Sequence, residues 1–101
     1  MIKHIVMWKL KDFAEGADRA RNAKRLKIEL EALKLTIPQI FHLEVGINIL
    51  DSDAAFDVVL FSVFKNDQDL ETYQNHPDHC AVAEFVGKVR EHRAVVDYAT
   101  G

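Results

Sequence analysis

An α+β fold is predicted for this chain by three observations. Stretches of period-two apolar alternation are interleaved with stretches of helical period, in the order strand, helix, strand, strand, helix, strand. The two middle strands are joined by a short polar loop, as in an antiparallel hairpin. The length, 101 residues, is that of one domain spanning residues 1–101.

Each element has its own warrant. Over residues 2–10, Ile2, His4, Val6, Trp8 and Leu10 fall on one face of a strand, and Lys3, Ile5, Met7 and Lys9 on the other. The segment DFAEGAD breaks that alternation. From about residue 17 to 35 the period changes to that of a helix, with Ala23, Leu26, Leu30 and Leu33 as an apolar stripe among charges. Pro38 closes the helix or the turn after it. A second strand is expected over about 40–49, with Phe41, Leu43, Val45, Ile47 and Ile49 on one face. Asp51, Ser52 and Asp53 form a turn. The third strand, about 56–65, sets Phe56, Val58, Leu60 and Phe64 against Val59, Phe61 and Val63. A short helix over 67–74 precedes a longer one over about 77–92, buried through Val82, Phe85, Val86 and Val89. A last strand covers 93–99. This order is the ferredoxin-like plan, a four-stranded antiparallel sheet with helices on one face.

The first and third strands are apolar on both faces. A sheet covered by helices on one side normally turns a polar face to water. Ile5, Met7, Val59, Phe61 and Val63 would form an exposed patch too large for a lone soluble domain. A second copy packing sheet against sheet is the expected cover, so a homodimer is predicted, unless a one-residue shift of register overstates the two-sidedness.

Composition narrows the function. With a net charge of −3 and 29% charged residues, nothing forms the basic stripe that nucleic acid requires. The densest basic cluster, Arg19, Arg21, Lys24, Arg25 and Lys27, is broken by Asp18 and Glu29 and reads as a solvated helix face. Cys80 is the sole cysteine, which suits a reducing cytoplasm. No apolar run approaches the ~18 residues of a membrane span, so no membrane association is expected.

The stretch YQNHPDH, residues 73–79, holds the polar residues with chemical potential. Proline is favoured as the first residue of a helix, where its missing N–H would be unpaired anyway. Pro77 thus makes His76 the N-cap and puts His79 in the first turn, at the border of the Val82 and Val86 stripe. The partial positive charge of a helix N-terminus disfavours an imidazolium, with Asp78 acting against it. A neutral, partly buried imidazole can serve as a general base. The structural reading stands beside this one: His76 as a cap and His79 bonded to a carbonyl. His4, on the strand face of Val6 and Trp8, is either a satisfied core histidine or a pocket residue. Tyr73, one turn before His76, could donate from its phenol or simply pack. His42 and His92 read as surface residues. An i, i+3 pair such as His76 and His79 lacks further ligands, and Pro77 spoils the helical pairing, so no metal site is expected.

The opening MIKHIVMWKLKD, the VG at 45 and 46, LETYQNHPDHCAVAEFV and the closing VVDY together resemble the stress-responsive alpha/beta barrel (Dabb) family over essentially the whole chain. The specific part is the combination of KHxV with a later HPxH. The resemblance implies a ferredoxin-like fold that dimerises through its sheets into an alpha+beta barrel, with a pocket between sheet and helices in each protomer. It implies that His4 lines that pocket; taken with strand parity and helix-start geometry, Val6, Trp8, Leu26, Leu30, Leu60 and His76 are expected in the same wall. Members of the family include stress-linked plant proteins and a cyclase of a linear polyketide. If that chemistry carried over, His79 and Tyr73 would match its base and acid, and no cofactor would be needed. The chain departs from the cyclase where specificity is set. Leu26 and Leu30 stand near positions of bulky aromatic residues, and a third-strand histidine has no match at Asp57 and Val58. The same substrate is therefore not expected. Two functions follow as expectations: cofactor-independent cyclase, lyase or isomerase chemistry on a small carbonyl compound, or a non-catalytic oligomer that binds a small apolar ligand or serves a structural role in stress.

Overall fold

A computed structural model describes all 101 residues. The elements in chain order are β1 (Ile2–Leu10), β2 (Phe13–Ala14), β3 (Ala17–Asp18), α1 (Arg19–Ala32), a 3-10 turn (Leu33–Leu35), β4 (His42–Ile47), β5 (Val58–Phe64), α2 (Asp67–Asn75), α3 (Pro77–Val89) and β6 (Arg90–Ala99). β1 lies inside the sheet, antiparallel to β5 on one side and β6 on the other, and the strand order is β4-β5-β1-β6. With β4 antiparallel to β5, this is the ferredoxin-like sheet that the element order predicted.

The register sorts the two faces. His4, Val6 and Trp8 of β1 stand opposite Ser62, Leu60 and Val58 of β5, and all six are buried on the helix side. Leu43 and Val45 of β4 join them. The stripe Ala23, Leu26 and Leu30 of α1, and Val82, Phe85, Val86 and Val89 of α3, close over this face, as their helical spacing implied. Each large apolar side chain so buried contributes about 1.5–3 kcal/mol.

Several boundaries differ from expectation. DFAEGAD folds as a two-stranded hairpin, with positive φ at Glu15 and Gly16 in its turn. Two successive positive φ values match the right-handed twist of a tight hairpin. Asn22, buried at the start of α1, donates its amide to the Ala14 and Ala17 carbonyls and fixes the hairpin to the helix. Asp18 caps α1 by accepting from the Arg21 N–H. The second strand ends at Ile47 rather than residue 49. Asn48 still donates its N–H to the Asp57 carbonyl at 2.8 Å, but its side chain turns onto the Leu50 backbone, the chain leaves the sheet there, and Ile49 stands fully exposed. The largest shift is at the C-terminus. α3 stops at Val89, and Arg90 is already extended (φ −78°, ψ 145°), because pairing with β1 begins at once and overrides helical propensity.

The outer face of the sheet carries Ile5, Met7, Val59 and Phe61, as parity required. Val63 leaves the expected patch: it is 6% exposed in the single chain, beside its cross-strand neighbours Lys3 and His42. Val96 and Tyr98 of β6, 53% and 44% exposed, extend the patch instead, paired with Ile5 and Lys3. No helix is long and apolar enough to cross a membrane.

Candidate functional site

A cavity of about 200 Å³ opens between the sheet and α3, lined among others by His4, Val6, Trp8, Leu30, Leu60, Tyr73 and His79. Strand parity brings three of these together, since His4, Val6 and Trp8 are alternate residues of β1. Leu60 lies across the ladder from Val6. Tyr73 arrives from the last turn of α2, fully buried and packed on Phe64 with ring centroids 5.0 Å apart. The Tyr73 and His79 rings are 4.5 Å apart, and His4 meets Tyr73 edge-on at 6.3 Å.

Two expected wall residues lie elsewhere. Leu26 is completely buried in the core between α1 and the sheet and does not reach the cavity. It sits one turn before Leu30 on the same stripe, and only Leu30 lies far enough along α1. His76 caps α3: its Nδ1 accepts the Asp78 N–H at 3.0 Å, and its ring faces a separate surface depression. The cap and Pro77 at the helix start are as the sequence indicated. Capping fixes the direction of the ring, and that direction is away from the cavity. His42 and His92 are exposed.

The hydrogen bonds define the chemical state of the site. His79 Nδ1 lies 3.0 Å from the Gln74 carbonyl oxygen. A carbonyl only accepts, so Nδ1 carries the proton and Nε2 holds the lone pair of the neutral ring. Burial lowers the His79 pKa from its ordinary value; the Gln74 bond opposes this, and the charges of His4, Arg93 and His76 reinforce it. The direction agrees with the helix-start argument, but desolvation and neighbouring cations are the causes. Burial pushes the Tyr73 phenol well above its ordinary range, so it remains a donor. His4 places Nδ1 2.5 Å from Asp97 Oδ1, its cross-strand partner on β6, and its Nε2 has no hydrogen-bond partner in the chain.

Two buried donors are left over. Tyr73 Oη and Trp8 Nε1 have no hydrogen-bond partner, and both residues line the cavity. Buried donors in native proteins are almost always paired, and both of these belong to residues of one cavity wall. No group of three or more His, Cys, Asp and Glu side chains is arranged to hold a metal ion.

Sequence reasoning missed part of the wall: Val82 and Val86 were assigned only to the core, while Ala83, Gly87, Arg90 and Arg93 were not singled out. Arg90 falls within the expected last turn of α3, and Arg93 opens the expected last strand, in parity with Val95 and Asp97. Arg90 is out of parity with them and reaches the same face only through a shift in the β1–β6 ladder. Asp57, where the resemblance offered no counterpart histidine, has a structural part: its carboxylate accepts the Leu10 N–H at 2.7 Å and secures the end of β1.

Comparison with known proteins agrees with this architecture. A stress-response A/B barrel domain-containing protein of Arabidopsis thaliana is 33% identical over 85 residues, 83% of this chain and 30% of the relative. This chain thus spans less than a third of that relative's length. A dimeric protein of ferredoxin-like fold from Bacteroides fragilis superposes with a TM-score of 0.86 at 33% identity, covering 98% of this chain and 95% of its own. A hydroxynitrile lyase from Passiflora edulis shares the fold at a TM-score of 0.79 and 18% identity, over 99% and 93% of the two chains. The profile of the stress responsive A/B barrel domain, Dabb, matches residues 2–100, and the chain belongs to that family.

Proposed function

We propose that the protein is a homodimer whose protomers each bind a small carbonyl-containing molecule in the cavity between sheet and α3, and that His79 and Tyr73 carry cofactor-independent proton-transfer chemistry on it. The observation that carries this reading is the pairing of states at one wall. A neutral His79 with its Nε2 lone pair free packs on the ring of Tyr73, centroids 4.5 Å apart, whose protonated hydroxyl has no partner. His79 Nε2 accepts a proton from the carbon alpha to the carbonyl, and the Tyr73 O–H donates to the carbonyl oxygen as negative charge moves onto it. The resulting enolate can close a ring, expel a leaving group, or be reprotonated elsewhere, which are the cyclase, lyase and isomerase outcomes. A hydroxynitrile lyase built on the same fold supports this fold as a frame for lyase chemistry, without naming a substrate or this proton. The dimer reading draws on the apolar outer face of the sheet and on the dimeric Bacteroides fragilis relative.

Native mass spectrometry of the purified protein identifies a co-purifying ligand, and turnover of that compound is then measured. Loss of a general base lowers a rate by about 10²–10⁴-fold, so His79→Ala should nearly abolish turnover while the oligomeric state is kept. If wild type converts the compound and His79→Ala keeps the full rate, His79 is not the base. If wild type binds without converting it, the protein is a binding module, the reading in which the cavity serves an apolar ligand alone.

A further inference from the structure

The rim of the cavity carries two arginines with no carboxylate to balance them. Arg90 and Arg93 both line the opening and are exposed, whereas Trp8, Tyr73 and His4 at its floor are buried. Neither guanidinium makes an ion pair or a side-chain hydrogen bond in the chain. No Asp or Glu lines the cavity, and Asp97 on the same strand is engaged by His4.

Their placement depends on an irregularity in the sheet. Residues three apart on a regular strand point to opposite faces. The β1–β6 ladder pairs Trp8 with Arg93 and Lys9 with His92, then shifts so that Leu10 pairs with Arg90. The bulge takes up Glu91 and turns Arg90 to the face shared by Leu10, Trp8 and Arg93. Without that extra residue Arg90 would point to the outer face. The wall they join offers the Tyr73 hydroxyl and the Trp8 indole N–H, both buried donors without an acceptor.

From this geometry we infer that the cavity takes a small organic carboxylate, its anionic group held by Arg90 and Arg93 at the rim and its body reaching Trp8, Tyr73 and His79. The inference rests on the cavity being the ligand site and adds the charge of the ligand. A planar guanidinium matches a carboxylate with two parallel N–H···O bonds, and a half-open site screens them less than bulk water does. The apolar wall of Val6, Leu60, Val82 and Val86 accommodates the hydrocarbon part.

Trp8 is the only tryptophan, so its fluorescence reports on the cavity directly. Phenylacetate and its uncharged isostere phenylacetamide are titrated into the purified protein. Phenylacetate should bind about tenfold more tightly, as expected for a hydrogen bond to a charged group. In Arg90→Gln/Arg93→Gln the preference for phenylacetate should be lost and the two affinities become equal, with phenylacetate weakened the more, and far-UV circular dichroism checks that the exposed substitutions leave the fold intact. Equal affinities in the wild type, or a preference that survives the double substitution, would overturn the carboxylate assignment and leave the cavity as a ligand site. A response to neither probe, in fluorescence or in the His79 ring resonances, would remove the cavity reading itself and this inference with it.

Discussion

The two nitrogens of His79 stand in different surroundings. Nδ1 is held by the Gln74 carbonyl at 3.0 Å, and Nε2 makes no hydrogen bond within the chain. The fixed tautomer makes Nε2 the basic atom, and burial keeps the ring neutral at a pH where a free imidazole is beginning to charge. That depression has a consequence for stability. The folded chain binds the His79 proton less readily than the unfolded chain, whose value is the ordinary 6.5. Wherever the unfolded state holds more protons, stability rises with pH. The contribution is therefore fully present above the unfolded value and is lost as pH falls through 6.5 toward the lower folded value. Urea unfolding between pH 7.5 and 5 should show stability declining with acid, and His79→Gln should flatten that decline. The His79 ring protons in an NMR titration should give a midpoint below the ordinary value of 6.5. A midpoint at or above that value would show that desolvation does not govern this ring.

α3 carries both the cap that starts the turn holding His79 and the wall that shapes the cavity. Its interior glycine is informative. Gly87 lies in the third turn, where glycine costs a helix about 1 kcal/mol relative to alanine. A Cβ built there meets nothing within 4 Å, so packing does not demand a glycine. The residue lines the cavity, and the space beside it is what a side chain would fill. Gly87→Ala should accordingly raise stability by about 0.5–1 kcal/mol in urea unfolding. Gly87→Phe should keep the fold and abolish phenylacetate binding as read by Trp8 fluorescence. Unchanged binding in Gly87→Phe would place the ligand elsewhere. The fold was legible in the sequence at this scale because each buried stripe, from Ala23 to Leu33 and from Val82 to Val89, is a local periodicity. The junctions were not. Nothing local distinguishes Arg90, Glu91 and His92 from a last helical turn, since pairing with a strand eighty residues earlier decides their conformation. The site was legible to the same degree. Parity gave His4, Val6 and Trp8, and helix-start chemistry gave His79. The assignment of Leu26 and His76 to the cavity needed distances along a helix axis and a cap direction that periodicity does not carry. Arg90 depended on the bulge.

At the scale of the whole molecule, the sheet has one face it cannot leave in water. Ile5, Met7, Val59, Phe61, Val96 and Tyr98 cover the side opposite the helices, across β5, β1 and β6, three of the four strands. Neither helical stripe covers them, because both are spent on the other face. At Gly46 a Cβ would come within 3.2 Å of the Val59 side chain, so the glycine leaves room for Val59 beside β4. Two such faces packed together would stand about 10 Å apart with side chains interdigitated. Val59 is the sharpest probe, being in the middle strand pair and partly exposed in the single chain. In a lone protomer a lysine at that position would extend into solvent and cost little. Between two sheets it would bury an unpaired ammonium, at a cost of several kcal/mol. Size-exclusion chromatography with light scattering at micromolar concentration should give a mass near 23 kDa for the wild type, twice the 11.5 kDa chain. Val59→Lys should run at the monomer mass with its secondary structure retained, and its unfolding midpoint should fall and lose the concentration dependence expected of a dimer. A wild-type chain that is monomeric under these conditions, or a Val59→Lys chain that remains dimeric, would show that the outer face is not where two copies meet.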